Sequence, residues 1–198
     1  NAYINRGLAK DHLGLLKESI KDFEKAIKID PKNSLAYFNL GTIFSEQEKY
    51  EKAIEYFNEA IKLDSKKPDY FLNRAMAKNG LGLFKESIKD FEKAIEIDPK
   101  NSLAYYNLGT IFSEQEKYEK ALEIFNKAIK LDSNNPYYFL NKGYAKFHLG
   151  KYEEAIKDFE KAIEIDPKNS LPYFNRGICN KELKNYSEAI KDFDEVIK

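Results

Sequence analysis

The sequence contains a long, nearly identical internal repeat, and this repetition limits the folds that the chain can adopt. The stretch from Ser34 to Ala53 reads SLAYFNLGTIFSEQEKYEKA, and 68 residues later Ser102 to Ala121 reads SLAYYNLGTIFSEQEKYEKA. Over the longer windows 17–64 and 85–132, only five of 48 positions differ. A chain of this kind is predicted to apply one packing rule many times.

A shorter period of 34 residues lies within the period of 68. The motif DPKNS ends at Ser34, Ser102 and Ser170, and the related motifs DSKKP and DSNNP end at Pro68 and Pro136. These landmarks predict one array over residues 1–198, made of six repeats: 1–33, 34–67, 68–101, 102–135, 136–169 and 170–198.

Each repeat is predicted to form two helices. In the second repeat, residues of one face recur at i, i+3, i+4 and i+7 in the first helix, as Tyr37, Leu40, Gly41 and Phe44. The second helix shows the same kind of spacing at Ala53, Phe57 and Ala60. A pair of helices cannot bury its own apolar stripe, whereas stacked pairs share a continuous core. We therefore predict an all-α solenoid of antiparallel helix pairs.

The residues at the helix ends agree with these boundaries. Gly14, Gly82 and Gly150 stand between the two helices of the odd-numbered repeats, where a left-handed residue is favoured. The even-numbered repeats have Glu48, Glu116 and Lys184 there, so that their turns close without glycine. Ser34, Ser102 and Ser170 are predicted to cap the next helix, and Pro68 and Pro136 to occupy its first turn.

Composition argues against several classes of partner and location. Lys plus Arg is 33 and Asp plus Glu is 33, so the net charge is 33 − 33 = 0, which favours neither nucleic acid nor an anionic membrane. One cysteine excludes an internal disulfide, and no apolar run is long enough to span a membrane. We expect an intracellular, cytoplasmic protein, although a start at Asn1 rather than Met leaves a leader or a longer parent chain open.

No group of residues predicts catalysis or a metal or other cofactor. His12 and His148 lie four repeats apart, and Cys179 occupies a position that is alanine in the odd-numbered repeats. Recurring carboxylates stand among lysines and are interpreted as a solvated face with i,i+4 pairs: Asp22, Glu24, Asp90, Glu92, Asp158 and Glu160. We therefore expect a protein that is not an enzyme.

The pattern resembles the tetratricopeptide repeat. The first helix of that repeat carries an aromatic residue, then Leu-Gly, then a second aromatic residue, and the second helix carries Ala, Phe and Ala, followed by Pro. The segment from Tyr37 to Ile61, YFNLGTIF…YEKAIEYFNEAI, matches this pattern. The resemblance implies a right-handed superhelix. One departure is the second aromatic position, which is Phe44 and Phe112 in two even-numbered repeats but otherwise Lys10, Lys78, Lys146 and Asn180. We expect these lysine stems to lie along the apolar groove with the amine in water.

One polar column recurs in all six repeats, as Asn5, Asn39, Asn73, Asn107, Asn141 and Asn175. The resemblance places it on the concave face, where carboxamides can bond to the backbone of an extended peptide. Neighbouring positions are expected to contribute selectivity through Phe38, Leu72, Met76, Tyr106, Leu140 and Tyr144. The alternative is that the asparagines only bond to a neighbouring helix.

These features predict an adaptor that binds an extended peptide with aliphatic or aromatic side chains. The basic clamp with which some members of the family hold a terminal carboxylate is absent, because its lysine positions carry residues such as Ile4, Phe38 and Leu72. The alternatives are a structural spacer or assembly subunit, or a consensus-like repeat design, with nothing bound in the groove. We also expect end-to-end self-association or a longer parent chain, since a terminal repeat normally carries a polar capping helix.

Overall fold

The structure is a computed structural model that describes residues 2–198; Asn1, the first residue of the first predicted repeat, lies outside the described residues. Over that range the chain is all-α, with twelve helices and no strand. The helices are α1 (Ala2–His12), α2 (Leu16–Ile29), α3 (Ser34–Glu46), α4 (Tyr50–Leu63), α5 (Pro68–Gly80), α6 (Phe84–Ile97), α7 (Ser102–Glu114), α8 (Tyr118–Leu131), α9 (Pro136–His148), α10 (Tyr152–Ile165), α11 (Ser170–Glu182) and α12 (Tyr186–Ile197). The prediction of two helices in each repeat is confirmed.

The helices form two compact units, of which the first ends at Pro99 and the second runs from Lys100 to Lys198. In the first unit α1 packs on α2, α3 on α4 and α5 on α6, and the pairs stack through α2 on α3 and α4 on α5. The second unit repeats this plan with α7 to α12. First helices of neighbouring repeats also touch within a unit: α3 contacts α5, α7 contacts α9, and α9 contacts α11. The single array over residues 1–198 stays a prediction.

A column of phenylalanines fills the space between the two helices of each repeat. Phe23, Phe57, Phe91, Phe125 and Phe159 are at most 1% exposed. The first helix passes so close to this ring that a methyl group at Gly41 would lie 2.5 Å from Cε1 of Phe57. The glycine column therefore serves the close approach of a helix backbone to an aromatic ring.

The turns between paired helices have one backbone conformation whatever residue they contain. Gly14, Gly82 and Gly150 have φ angles of +72°, +71° and +71°. Glu48, Glu116 and Lys184 adopt the same left-handed region, with φ angles of +58°, +59° and +63°. The even-numbered repeats thus keep the glycine geometry without glycine, at a cost in backbone strain.

The helix caps differ from the sequence prediction by one residue. The residue before the serine is the cap: the Oδ1 atoms of Asn33 and Asn101 accept from the N–H groups of Ala36 and Ala104. Ser34 begins α3, and its hydroxyl bonds to the Tyr70 hydroxyl at 3.1 Å. The prediction that the serines cap these helices was therefore wrong, whereas the placement of Pro68 and Pro136 in a first turn is confirmed.

The interpretation of the recurring aspartates as a solvated face was also wrong. Asp22 is buried and accepts from Nε and Nη2 of Arg6 at 2.7 and 2.6 Å and from Nζ of Lys10 at 2.7 Å. The same arrangement recurs at Asp90 with Arg74 and Lys78 and at Asp158 with Lys142 and Lys146. At Asp192 it has one cation, Arg176, and the neutral Asn180 replaces the lysine. We call each set an ionic trio. The amines of Lys10, Lys78 and Lys146 thus bind a buried carboxylate and do not extend into water.

The second and fourth repeats carry apolar residues at the three positions of the ionic trio. In the second repeat these are Leu40, Phe44 and Tyr56, and the rings of Phe44 and Tyr56 stack at 5.4 Å with an interplanar angle of 3°. In the fourth repeat they are Leu108, Phe112 and Ile124, all of them buried. The departure of the second aromatic position from the family pattern is therefore part of a concerted change at three positions.

Candidate functional site

The predicted asparagines lie on the first helices of the repeats, and most are held by their own helix. Nδ2 of Asn73, Asn107, Asn141 and Asn175 donates to the carbonyl oxygen four residues earlier, at 2.8 to 3.0 Å. These oxygens already accept the N–H bonds of the helix. The bonds therefore orient the carboxamides without tying them to another helix, and the Oδ1 atoms stay available as acceptors.

The remaining members of the column differ in their surroundings. Asn5 is exposed, and Nδ2 of Asn39 is shielded from solvent without a hydrogen-bond partner in the described structure. Asn141 makes a second bond, from Nδ2 to the hydroxyl of Tyr106 on α7 at 3.1 Å. In the first unit Phe38 replaces this tyrosine, so Asn73 has no such hydroxyl to bond to.

The predicted apolar contacts divide into packed and exposed side chains. Leu72 and Leu140 are buried. Phe38 and Tyr106 are half-buried and stack on Tyr70 and Tyr138 with ring centroids 4.8 and 4.9 Å apart. Met76 and Tyr144, by contrast, are 45% and 42% exposed. Of these six side chains, Met76 and Tyr144 present the most surface, and the other four support the first helices from within.

The two units contain equivalent pockets, each formed between an even-numbered repeat and the repeat that follows it. The first pocket has a volume of about 360 Å³ and is lined by Thr42, Ser45, Glu46, Tyr50, Asn73 and Met76. The second pocket has a volume of about 320 Å³ and is lined by Thr110, Ser113, Glu114, Glu116, Tyr118, Asn141 and Tyr144. Each lies where the end of one first helix and the start of its partner face the first helix of the next repeat. The structure therefore brings a predicted asparagine and a predicted apolar residue together in each pocket.

The lining by Ser45, Glu46 and Tyr50, and by their counterparts in the second pocket, was not predicted from the sequence. Its residues lie in the duplicated stretch GTIFSEQEKY, which is identical at residues 41–50 and 109–118. Tyr50 occupies a position that is aromatic or leucine in all six repeats, as Leu16 and Phe84, and it packs against the core. Ser45 and Glu46, like Ser113 and Glu114, recur outside the packing columns. Identity at such positions was the available signal.

The pockets have an excess of negative charge. Neither lining includes Lys or Arg, and Glu46 and Glu114 make no ion pair with any residue between 2 and 198. Partial burial raises the pKa of Glu114, because the charged carboxylate loses part of its hydration. Burial also raises the pKa of Tyr118, whose ring stacks on His148 at 4.8 Å with an interplanar angle of 7°.

Of the other groups considered for chemistry, His148 packs against Tyr118 and Tyr144 behind the second pocket, whereas Cys179 lies in neither pocket lining. Cys179 is buried, and its burial raises the pKa of the thiol to about 11, which disfavours the reactive thiolate. Between residues 2 and 198, no three side chains of His, Cys, Asp or Glu are grouped so that they could hold a metal ion. None of the helices in that range is at once long and apolar enough to cross a membrane.

Comparison with known proteins agrees with the fold. The tetratricopeptide repeat profile matches residues 1–33, 34–67, 102–135 and 136–169, and two further profiles of this repeat match residues 79–115 and 159–191. A curated relative, tetratricopeptide repeat protein 6 of Homo sapiens, is 39% identical over 46 residues, which are 23% of this chain and 9% of the relative.

Solved structures show the same architecture. YrrB, described as a TPR protein with an unusual peptide-binding site, is 25% identical, with a TM-score of 0.72 over 88% of this chain and 90% of that one. PilF of Pseudomonas aeruginosa is 21% identical, with a TM-score of 0.85 over 96% of this chain and 87% of that one, a likeness of fold. The resemblance drawn from the sequence is confirmed: this chain belongs to the tetratricopeptide repeat family.

Proposed function

We propose that this protein is a non-enzymatic adaptor that binds an extended peptide of a partner protein along the asparagine column. The fold of the family supports a protein–protein interaction scaffold, and its domains bind protein or peptide partners. The observation that carries the proposal is the state of the carboxamides. Four of them are oriented by bonds to their own helices and leave their Oδ1 atoms free to accept.

The chemistry of the column suits a peptide backbone. A free Oδ1 accepts an N–H of the peptide, and the second Nδ2 hydrogen of Asn73, Asn107 and Asn175 can donate to a peptide carbonyl. In Asn141 that hydrogen is already bonded to the Tyr106 hydroxyl. Each such bond contributes about 0.5–1.5 kcal/mol net, so several in a row hold a chain without reading its sequence. Because α3 lies beside α5, and α9 lies beside both α7 and α11, neighbouring carboxamides within a unit stand on adjacent helices.

Two further points support a peptide of this kind. YrrB, at 25% identity and matching over most of both chains, is described as having a peptide-binding site. The pockets carry carboxylates and no basic side chain, so they do not favour a terminal carboxylate as ligand. This agrees with the absence of a basic clamp in the sequence.

The test combines binding with stability. Peptides of about 12 residues are selected from a random display library against the full chain. Their binding affinity is then measured by fluorescence anisotropy. Asn73, Asn107, Asn141 and Asn175, whose Nδ2 groups bond to the i−4 carbonyls, are then replaced together by Ala. We expect peptide binding to be lost and the thermal melt by circular dichroism to stay nearly unchanged, because the i−4 carbonyls keep their helix bonds and Ala favours the helix.

Tyr106→Phe is the matched control. It removes the one bond from the column to another helix among residues 2–198, and it gives the second unit the phenylalanine that the first unit already has. We expect it to leave peptide binding intact. A large fall in melting temperature of the quadruple variant would assign the asparagines to packing, and a wild-type chain that selects no peptide would favour the structural spacer.

A further inference from the structure

We propose that the pocket in each unit binds a cationic side chain, Lys or Arg, of the bound peptide, with Glu46 or Glu114 as its counter-ion. This inference rests on the proposed function and assigns it a class of partner that the sequence did not predict. Aliphatic and aromatic side chains were expected from the apolar neighbours of the asparagines, but four of those six neighbours are packed between helices or stacked on other rings.

The charge of each pocket differs from that of the chain as a whole. The buried aspartates of the ionic trios each have at least one cation within hydrogen-bond distance, as Asp90 has Arg74 and Lys78. Glu46 and Glu114 are exposed and have no cation partner among residues 2–198, as is also true of Glu51 and Glu119, but they differ from these in lining the pockets. A carboxylate left without a counter-ion in a concave site attracts a cation.

Further hydrogen-bond acceptors surround that carboxylate. The Thr42 hydroxyl donates to the carbonyl oxygen of Phe38 at 3.2 Å, and the Thr110 hydroxyl does the same to Tyr106 at 3.1 Å. Their donors are used, and both threonines line the pockets, so each hydroxyl oxygen keeps lone pairs with which it can accept. Oδ1 of Asn73 or Asn141 adds another. An ammonium or guanidinium group carries donors only, and this set of acceptors matches it.

An aromatic side chain also lines each pocket. Tyr50 lines the first pocket and Tyr118 the second, and a cation over an aromatic face is attracted by the ring. One face of Tyr118 is covered by His148, which leaves the other face for a cation. The same chain uses this contact on its own lysines: Nζ of Lys52 and Lys120 lies 4.0 and 4.1 Å from the ring centroids of Phe44 and Phe112.

The two pockets are not equal. The second has Tyr144 where the first has Met76, and Glu116 also belongs to its lining. A second aromatic ring and a second carboxylate both favour a cation, so we expect the second pocket to bind it more tightly.

The experiment is a cycle between protein and peptide. The peptides selected from the display library are expected to be enriched in Lys or Arg. One of them, and the same peptide with that residue replaced by norleucine, are measured against the full chain and against Glu46→Gln/Glu114→Gln. We expect the double variant to bind the cationic peptide about tenfold more weakly, as for loss of a charge-assisted bond, and the norleucine peptide equally well.

Glu51→Gln/Glu119→Gln is the matched control, because it removes two exposed charges at equivalent positions of α4 and α8 outside the pockets. We expect it to leave both affinities unchanged, and circular dichroism checks that both variants fold. Selected peptides without Lys or Arg enrichment, or an affinity indifferent to Glu46→Gln/Glu114→Gln, would overturn this inference and leave the proposed function standing. Failure of the wild-type chain to select any peptide would overturn both.

Discussion

The ionic trio of the third repeat allows the cost of an uncompensated charge to be measured. Asp90 accepts from Nε and Nη2 of Arg74 at 2.8 and 2.6 Å and from Nζ of Lys78 at 2.7 Å. The side chain of Asp90 is 7% exposed, and each cation is 16% exposed. Replacing Asp90 by Ala leaves two poorly hydrated cations side by side without a counter-ion.

Removing one partner from a buried ion pair costs about 3–5 kcal/mol. Arg74 also donates to Oδ1 of Asn58 at 2.7 Å, and both cations keep some contact with water, so part of their hydration is recovered. We therefore expect Asp90→Ala to lower the free energy of unfolding by the lower end of that range, about 3 kcal/mol.

A triple variant tests whether charge is the cause. Arg74→Leu/Lys78→Phe/Asp90→Ile gives the third repeat the apolar residues that the fourth repeat has at Leu108, Phe112 and Ile124. Replacing a whole buried ionic set by packed apolar residues is often neutral or stabilising. We expect the triple variant to lie within about 1 kcal/mol of the wild type or above it, and so well above the single variant.

Urea denaturation of the full chain, followed by circular dichroism at neutral pH, measures all three proteins. A single variant as stable as the wild type would mean that the two cations rehydrate at no cost. A triple variant less stable than Asp90→Ala would mean that this site needs polar side chains for a reason other than charge pairing. Either result would refute the reasoning.

Three further changes test other parts of the structure. Gly41→Ala is expected to cost about 1–3 kcal/mol in a thermal melt, since the new methyl group would lie 2.5 Å from a ring carbon of Phe57; an unchanged melt would contradict this. Lys184→Gly is expected to stabilise by about 0.5–1 kcal/mol, because a left-handed φ costs an L-residue more than glycine; chemical denaturation checks the sign. Hydrogen bonding to Arg6 holds the pKa of Asp22 well below its usual range, so its stabilisation is present above the unfolded pKa of about 3.9 and is lost as pH falls through the folded pKa. The difference in melting temperature between the wild type and Asp22→Asn should then shrink on acidification below about pH 4, and a widening difference would count against the pairing.

The sequence predicted the helices because their signals are local. A periodic apolar face, a proline such as Pro68 in a first turn and a glycine such as Gly14 after a helix each act within a few residues. Because six repeats showed the same pattern, single positions that departed from it did not change the predicted helices. The cap at Asn33 was missed by one residue, because Asn and Ser are both good caps and stand next to each other.

The ionic trios and the pockets could not be predicted in the same way, because they join residues on different helices. Asp22 stands 16 positions after Arg6, and no local rule relates the two. Its spacing from neighbouring lysines was instead compatible with a solvated helix face. The first pocket likewise needs Glu46 from α3 and Asn73 from α5, and a single sequence gives no signal for that pairing beyond the unexplained identity of the duplicated stretch.

The packing alternation and the pockets share the period of 68 residues. Apolar trios occupy the second and fourth repeats, and these same repeats carry the pocket-lining residues, as Thr42 and Glu46 or Thr110 and Glu114.

At the positions equivalent to Thr42, Ser45, Glu46 and Tyr50, the third repeat has Met76, Asn79, Gly80 and Phe84. Gly80 lets the ring of Tyr50 approach closely, since a methyl group there would lie 2.7 Å from that ring. In the fifth repeat the equivalent residue is His148, which stacks on Tyr118. One type of repeat thus supplies the polar wall, and the type that follows it supplies the asparagine, the variable residue and a residue that packs against the tyrosine. A change confined to one repeat would damage both the trio pattern and the pocket, which gives a physical reason why the sequence is duplicated as pairs of repeats and not as single ones.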